Sequence, residues 1–401
     1  MEQETNYKTF TAMKPHFAAL ARVAYYKIVS TEVTDLKRSF HNAYRVIIFT
    51  LVAGYNIQHV IKAIQVRHNI DHMVDTLFIL LTTINTFAKQ ISFNVRRHRV
   101  ENLINIINSP TFAPQNEDHV KILKNNASTM SRLLKVYHFA ALICGGLWAI
   151  FPFVNRALGQ EVRFTGYIPF DTTDSPNFEI AEIYMSILII LQAYANVTLD
   201  CTIVAFYSLA KTQIELLRYN YEHFVDFNTD SIVITNKISS YNEENERKYL
   251  QKRFVNSVKH YQKIVWFAKE AESIFAEAMV VQFSTSSWVI CMTVYKIVGL
   301  NIFSMEFVSM AAYLGCMLAQ IFLYCYYGTE LAIESGFINQ SIYSGDWLSL
   351  SPRFRKQLLV MMQFCTRPIA PRIAIVIPMS LETYISILRC SYTLFTFLNR
   401  K

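Results

Sequence analysis

The sequence predicts an all-α protein that crosses a membrane seven times, and three observations carry that prediction. Of 401 residues, 52% are hydrophobic and 17% charged, with 10 each of glycine and proline and a positive mean hydropathy. That is more apolar surface than a soluble core of this length needs. Apolar runs recur at the ~18–20 residues required to cross a hydrocarbon layer about 30 Å thick. Charge is sorted between alternate connecting segments, as membrane insertion demands.

The runs that qualify are 44–64, 72–93, 133–154, 180–210, 275–298, 303–327 and 375–398. The fourth is longer than a bilayer is thick, which predicts tilt or extension beyond the membrane. Ahead of them, 17–28 is short and interrupted by Arg22 and Lys27. It reads as an amphipathic helix at the interface rather than a cleaved signal, so the first true span directs insertion.

Orientation follows from the loops. Basic residues gather in the amino-terminal segment (Lys8, Lys14, Arg22, Lys27, Lys37, Arg38), the second loop (Arg96, Arg97, Arg99, Lys121, Lys124), the fourth (Lys237, Arg247, Lys248, Lys252, Arg253, Lys259) and the sixth (Arg353, Arg355, Lys356). The third loop instead sets Glu161, Asp171, Asp174 and Glu179 against Arg156 and Arg163. The excess of Lys and Arg therefore lies on one side, which predicts a cytoplasmic amino terminus and an extracellular carboxy terminus. This is opposite to a G-protein-coupled receptor. The net charge of +8 is explained by this sorting, and no nucleic-acid partner is expected.

No catalytic chemistry is expected. The cysteines Cys144, Cys201, Cys291, Cys316, Cys325, Cys365 and Cys390 mostly sit in apolar spans without a CxxC pair, and read as packing residues rather than a disulfide or zinc framework. The chain has no HExxH, no phosphate-cradling glycine loop and no GxSxG, so neither an enzyme nor a cofactor is implied. Two charges fall within spans, Asp200 and Arg389. A charge at that depth faces water or pairs with its opposite, and a structural ion pair or a snorkelled position is the expectation for both. The segment 354–364 is an amphipathic helix with basic residues at its start, and the breaks at Pro368, Pro371 and Pro378 separate it from the last span.

Two stretches carry a resemblance. One is Tyr324-Cys325-Tyr326-Tyr327-Gly328-Thr329-Glu330-Leu331, followed by Glu334-Ser335, Ile342-Tyr343 and Asp346-Trp347. The other joins Arg367-Pro368, Ser380-Leu381-Glu382-Thr383, Ser391-Tyr392 and Phe395-Thr396. In order and spacing they resemble the insect odorant receptors, a family of seven-helix ligand-gated cation channels with inverted topology. The match is detailed over roughly the last eighty residues and rests upstream on length and topology. The sister gustatory receptors are the nearest alternative. Their final helix pairs Thr-Tyr with a later Gln-Phe, and this chain has Thr383-Tyr384 but Leu388-Arg389-Cys390 there. The interval from Lys211 to Lys269 is also too short for the family's co-receptor.

The resemblance implies an odour-tuning subunit in the plasma membrane of a sensory dendrite. Its partners would be the shared co-receptor, with which it forms a tetramer around one pore, and a small volatile odorant. It divides the chain into a cytoplasmic segment (1–43), helices one to six with an outer ligand pocket (44–327), a cytoplasmic loop and anchor helix (328–374) and a pore-lining helix (375–401). At the outer end of that helix, Phe395, Leu398 and Asn399 fall where the family places its gate, and apolar side chains there would expel water on closing. Packing of Phe395 and Leu398 against lipid or the fifth span is the competing reading.

With this topology the outer half of the bundle supplies the pocket. Its candidates are Met73, Thr76 and Phe78; Gly145, Gly146, Trp148 and Phe151; Tyr184, Met185 and Leu188; Trp288 and Met292; and Phe307, Met310, Tyr313 and Met317. Aromatic rings and thioethers suit a small apolar volatile, the glycines leave volume, and Thr76, Tyr184 or Tyr313 offers one hydrogen bond. A transporter is disfavoured because no inverted repeat is visible. A metabotropic receptor is disfavoured by the orientation and by the lack of a DRY triplet or NPxxY. The sequon at Asn126 falls in a loop expected inside the cell, so it should carry no glycan.

Overall fold

The computed structural model describes residues 7–25, 35–159, 162, 164–224, 239–300, 303–374 and 376–398. Its long helices are α2 (Asp35–Gln65), α3 (Ile70–Val95), α5 (Glu117–Ala157), α6 (Asn177–Glu222), α7 (Ser239–Val298), α8 (Met305–Gly336) and α11 (Leu381–Leu398). Shorter helices are α1 (Lys14–Arg22), α4 (Arg97–Ile107), α9 (Ile338–Ser344) and α10 (Pro352–Phe364), and a two-stranded hairpin pairs β1 (Arg372–Ile373) with β2 (Ile377–Pro378). The seven long helices alternate in direction. One end of the bundle therefore holds the start of α2 together with α4, α9 and α10, and is called here the basic end. The other, the acidic end, holds the 162–176 connection.

Helix starts are set by polar caps. Asn116 accepts from the His119 N–H at 2.7 Å to open α5, and Ser304 accepts from the Phe307 N–H at 3.0 Å to open α8. The last helix begins at Leu381, six residues later than the apolar run at 375 suggests. Ile377 and Pro378 are held in the hairpin, and Ser380 then caps the helix by accepting from the Thr383 N–H at 3.4 Å. Several helices outrun a bilayer, with 41 residues in α5, 46 in α6 and 60 in α7. The predicted second loop is accordingly mostly helix. Asn126, expected in a loop, sits on α5 and accepts from the Ser208 hydroxyl at 2.6 Å. By length and composition, five described helices are apolar enough to cross a membrane: 39–65, 117–157, 177–222, 247–298 and 305–344. The apolar runs of the other two long helices are interrupted by charges, Asp75 and Lys89 in α3 and Glu382 and Arg389 in α11.

Helix α6 is the axis. From Ala195 to Ala210 every residue is buried, whereas its first half alternates between buried and open positions. A helix buried all round belongs at the centre of a bundle, and α1, α3, α5, α7, α8 and α9 all pack on it. The helices are therefore close-packed toward the basic end and diverge toward the acidic end.

A polar network is buried where they diverge. The Lys89 ammonium of α3 donates to Asn196 Oδ1 at 2.9 Å and pairs with Asp200 on α6, with the two residues 0% and 1% exposed. Asp200 also accepts from the Tyr324 hydroxyl at 2.6 Å and from Gln320 Nε2, both on α8. Gln320 reaches Gln282 on α7, which in turn accepts from Asn85 of α3. Asp200 thus forms the expected ion pair, with a partner that the sequence did not single out.

At the basic end, ion pairs do the joining. Arg96 and Arg99 hold Glu277 and Glu270 of α7, while Lys211 and Arg218 of α6 hold Glu330 and Glu334 of α8. The chain before α11 lies across α8. The Ile369 N–H donates to Ser335 Oγ at 2.8 Å and the Leu381 N–H to Thr329 Oγ1 at 3.1 Å. At Gly328 a Cβ would collide with the Met379 carbonyl, so only glycine admits this crossing.

Lys89→Met leaves the Asp200 carboxylate buried and unpaired, which costs about 3–5 kcal/mol. We expect a lower melting temperature in detergent and a loss of surface protein, with partial recovery on adding Asp200→Leu. A second prediction concerns acid. Burial holds His16 at about 4, His119 at about 4 and His260 at about 3, below their ordinary 6.5. Between those limits the unfolded chain takes up protons that the folded chain refuses. Stability is therefore fully present above pH 6.5 and falls as the pH drops toward 4, which a pH series of melting temperatures will show.

Candidate functional site

Two adjoining cavities open in the diverging half of the bundle. The outer, of about 420 Å³, is bounded by Tyr55, Asp75, Phe151, Phe164, Glu182, Met185, Lys296, Glu306 and Met310. The inner, of about 100 Å³, lies toward α6 between Thr82, Thr86, Tyr137, Cys144, Gly145, Gln192, Tyr313, Cys316 and Met317. Phe78, Ile79, Trp148 and Ile189 line both and form the wall between them.

The rings of that wall belong to an aromatic cluster drawn from three helices. Phe78 of α3 meets Trp148 of α5 at 5.2 Å and Tyr313 of α8 at 5.5 Å, both edge to face, and Trp148 lies 6.1 Å from Tyr313. Edge-to-face pairs contribute beyond their buried area, so the wall has a definite resting arrangement. Tyr313 is fixed further by a 2.5 Å hydrogen bond to Thr82. Gly145 shapes the inner cavity by small size, since a Cβ there would lie 3.1 Å from Ile190 Cγ1. At the mouth, the Lys296 ammonium bridges Asp75 at 2.5 Å and Glu306 at 3.1 Å, tying α7 to α3 and α8. The floor of the inner cavity is the buried network, because Asn196 and Gln320 belong to both.

The structure brings Phe78, Gly145, Trp148, Phe151, Met185, Met310, Tyr313 and Met317 to these two cavities. Thr76 lines a third, outermost cleft beside His72 and Asp75, with its hydroxyl turned to the His72 carbonyl at 3.0 Å. Tyr184 and Leu188 pack in the wall behind, Tyr184 donating to Gln58 at 3.2 Å. Met73, Gly146, Met292 and Phe307 line none of these cavities, and Trp288 faces outward from α7, 53% exposed. Thr82, Thr86, Gln192 and Cys316 are not among the residues singled out in the outer half of the bundle, because the inner cavity reaches a turn or more deeper than those positions. Thr82 and Thr86 follow Phe78 at intervals of four, Gln192 follows Leu188 by four and Cys316 follows Tyr313 by three, so helical spacing from the identified residues is the signal that points to them.

The last helix has two unlike faces. On one, Ser391 donates to the Ser287 carbonyl of α7 at 3.2 Å and Tyr384 meets Phe322 of α8 at 5.7 Å. On the other, Glu382, Ser386, Arg389 and Thr393 are exposed at helical spacing. Phe395 is half-buried and lies 6.5 Å from Tyr392. Placement of the Leu398 side chain and of Asn399 lies outside the described residues.

The sequence model of a family described as 7tm Odorant receptor matches residues 69–392. Odorant receptor 46a, isoform B, of Drosophila melanogaster is 22% identical over 369 residues, covering 88% of each chain. Odorant receptor 10 of Aedes albopictus is 25% identical over 289 residues, covering 71% of this chain and 72% of that one. Among solved structures, the insect olfactory receptor OR5 from Machilis hrabei in complex with eugenol superposes with a TM-score of 0.82 at 16% identity, covering 97% of both chains.

Removing the shared wall should open the inner cavity. In Trp148→Ala, alkylation of Cys144 by N-ethylmaleimide, followed by peptide mass spectrometry, is expected to accelerate by at least an order of magnitude. An unchanged rate would mean that the wall does not control access.

Proposed function

Because this chain belongs to the odorant receptor family, we propose that it is an odour-tuning subunit of a ligand-gated cation channel, opened by a small volatile and assembled with the family's co-receptor. The single observation that carries the channel reading is the exposed polar face of α11. Glu382, Ser386, Arg389 and Thr393 form a hydrophilic stripe on a helix long enough to cross a bilayer, and such a stripe is costly against lipid. Four such helices around an axis would turn those faces into a shared aqueous path.

The acidic end is then extracellular, a reading that the sorting of loop charges supports, and the basic end, with its ion pairs and α10, is the cytoplasmic anchor at which subunits pack. An odorant would enter past the Lys296 bridge, cross the outer cavity and pass the wall of Phe78, Ile79, Trp148 and Ile189 into the inner cavity. The adjoining network offers a route to the pore. Gln320 and Asn196 form the cavity floor, Gln282 bonds Gln320 and Ser286, and the neighbouring Ser287 holds Ser391 of α11. Ligand would open the channel by binding more tightly to the arrangement in which α7 and α11 have shifted outward.

The test is voltage-clamp current in cells expressing the chain with and without the co-receptor, under a volatile panel and with G-protein signalling blocked. A fast current requiring both subunits is expected. Arg389→Glu should raise the permeability to Ca²⁺ relative to Na⁺ for every agonist, and Tyr313→Phe should shift agonist potency at unchanged permeability. Signalling through a second messenger without direct current would overturn the reading.

A further inference from the structure

The inner cavity is apolar in most of its wall, yet it holds hydrogen-bonding groups that the protein leaves unmet. Its hydroxyls are already committed. Thr82 donates to the Phe78 carbonyl at 2.8 Å, so the proton in the bond between Thr82 and Tyr313 comes from Tyr313. Thr86 donates to the Thr82 carbonyl at 3.0 Å and Tyr137 to the Cys316 carbonyl at 3.0 Å. Gln192 is different. It is 2% exposed, lines the cavity, and neither Nε2 nor Oε1 finds a partner among the described residues. The Trp148 indole N–H and Gln320 Oε1, which line the same cavity, are likewise without partners.

Buried donors and acceptors are rarely left unpaired, because the cost of losing water is then uncompensated. The Gln192 carboxamide and the Trp148 indole, lining one cavity, offer two donor nitrogens and an acceptor to one small guest. An alcohol or phenol matches this set, since its oxygen accepts from Gln192 Nε2 or Trp148 Nε1 while its proton goes to Gln192 Oε1. An aldehyde or ketone meets only the donors, and a hydrocarbon meets none. At about 100 Å³ the cavity is small beside the ~300–1,000 Å³ typical of drug-sized sites, which favours a compact molecule.

We propose that Gln192, supported by Trp148, is the specificity-determining residue of this receptor, and that it selects a compact volatile bearing a hydroxyl group. The proposal rests on the ligand-gated reading above and adds the ligand's chemical class. Tyr313 and Thr82 shape the cavity without donating to the guest's oxygen, because their protons are used within the protein.

The experiment records concentration–response curves, with the co-receptor present and surface protein quantified, for two matched sets: benzyl alcohol, benzaldehyde and toluene, and 1-hexanol, hexanal and hexane. In the unaltered chain the alcohol is expected to be the most potent member of its set, ahead of the hydrocarbon by roughly tenfold to a hundredfold, as hydrogen-bonding sites discriminate. Gln192→Met, which keeps the volume, should bring the alcohol and hydrocarbon within about threefold, the loss of most of that buried hydrogen-bond preference. Trp148→Phe should reduce alcohol and aldehyde potency together and leave the hydrocarbon's in place, giving a second reading if Gln192→Met fails to reach the surface. Hydrocarbons as potent as alcohols, or an alcohol preference unchanged in Gln192→Met, overturn the proposal and leave the channel reading intact. No current from any member, with both subunits at the surface, overturns the channel reading and this proposal with it.

Discussion

The buried pairing of Lys89 with Asp200 is the constraint on which the rest of the structure depends. Two opposite charges with almost no exposure are tolerable only when each finds further partners, because the loss of water otherwise exceeds the Coulomb gain. Those partners are Asn196, Gln320 and Tyr324, so satisfying one ion pair fixes the register of three helices, and Gln282 brings in a fourth. An apolar core of the same volume would hold the helices together as firmly, but would allow them to slide and rotate. Directional bonds remove that freedom at the level where close packing gives way to cavities.

The two halves of the bundle divide their tasks accordingly. Toward the basic end, α6 is enclosed on all sides and the surrounding helices are linked by arginine and lysine pairs that span the interhelical grooves. Toward the acidic end the same helices separate, and the space is filled by large rings that meet edge to face and by a lysine shared between two carboxylates. Rigidity at one end lets the other be hollow without collapse. The stretch from Tyr324 to Trp347, which carried the family resemblance, belongs to the rigid part. Glu330 and Glu334 complete ion pairs to α6, Gly328 admits a crossing chain, and Gly345 lies against the Tyr221 carbonyl.

Much of this fold was legible in the sequence, because apolar runs of bilayer length and the sorting of basic residues are properties of single segments. What escaped depends on several segments at once. Lys89 near the end of an apolar run reads like any lysine whose charge can reach water, and only the arrival of Asp200 from α6 makes it an interior cation. The apolar run continues through Ile375, Val376 and Ile377 and so points to an earlier start for the last helix, whereas hairpin pairing and the Ser380 cap decide where the helix begins. In the pocket, Phe78, Trp148 and Tyr313 were legible as large aromatics in the right half of the right spans. Trp288 met the same criteria but faces outward, since α7 is long and its apolar residues do not keep to one stripe. Gln192 is not legible, because a lone amide in an apolar run carries no sign of which side of the helix will be enclosed.

The crossing at Gly328 gives the last helix a mechanical character. Main-chain bonds to Thr329 and Ser335 of α8 hold the segment leading into it, so α11 is fastened at its foot. Its 18 residues extend about 27 Å beyond that point at 1.5 Å per residue. A rod fastened in this way, and steadied along one side by the Ser391 bond to α7, is a lever. A tilt of about 5° at the foot carries the tip of such a rod some 2 Å sideways, a displacement comparable to the radius of a methyl group. Small adjustments in the bundle can therefore appear at the far end of the helix as a sideways displacement, with no need for any single contact near the foot to stretch far.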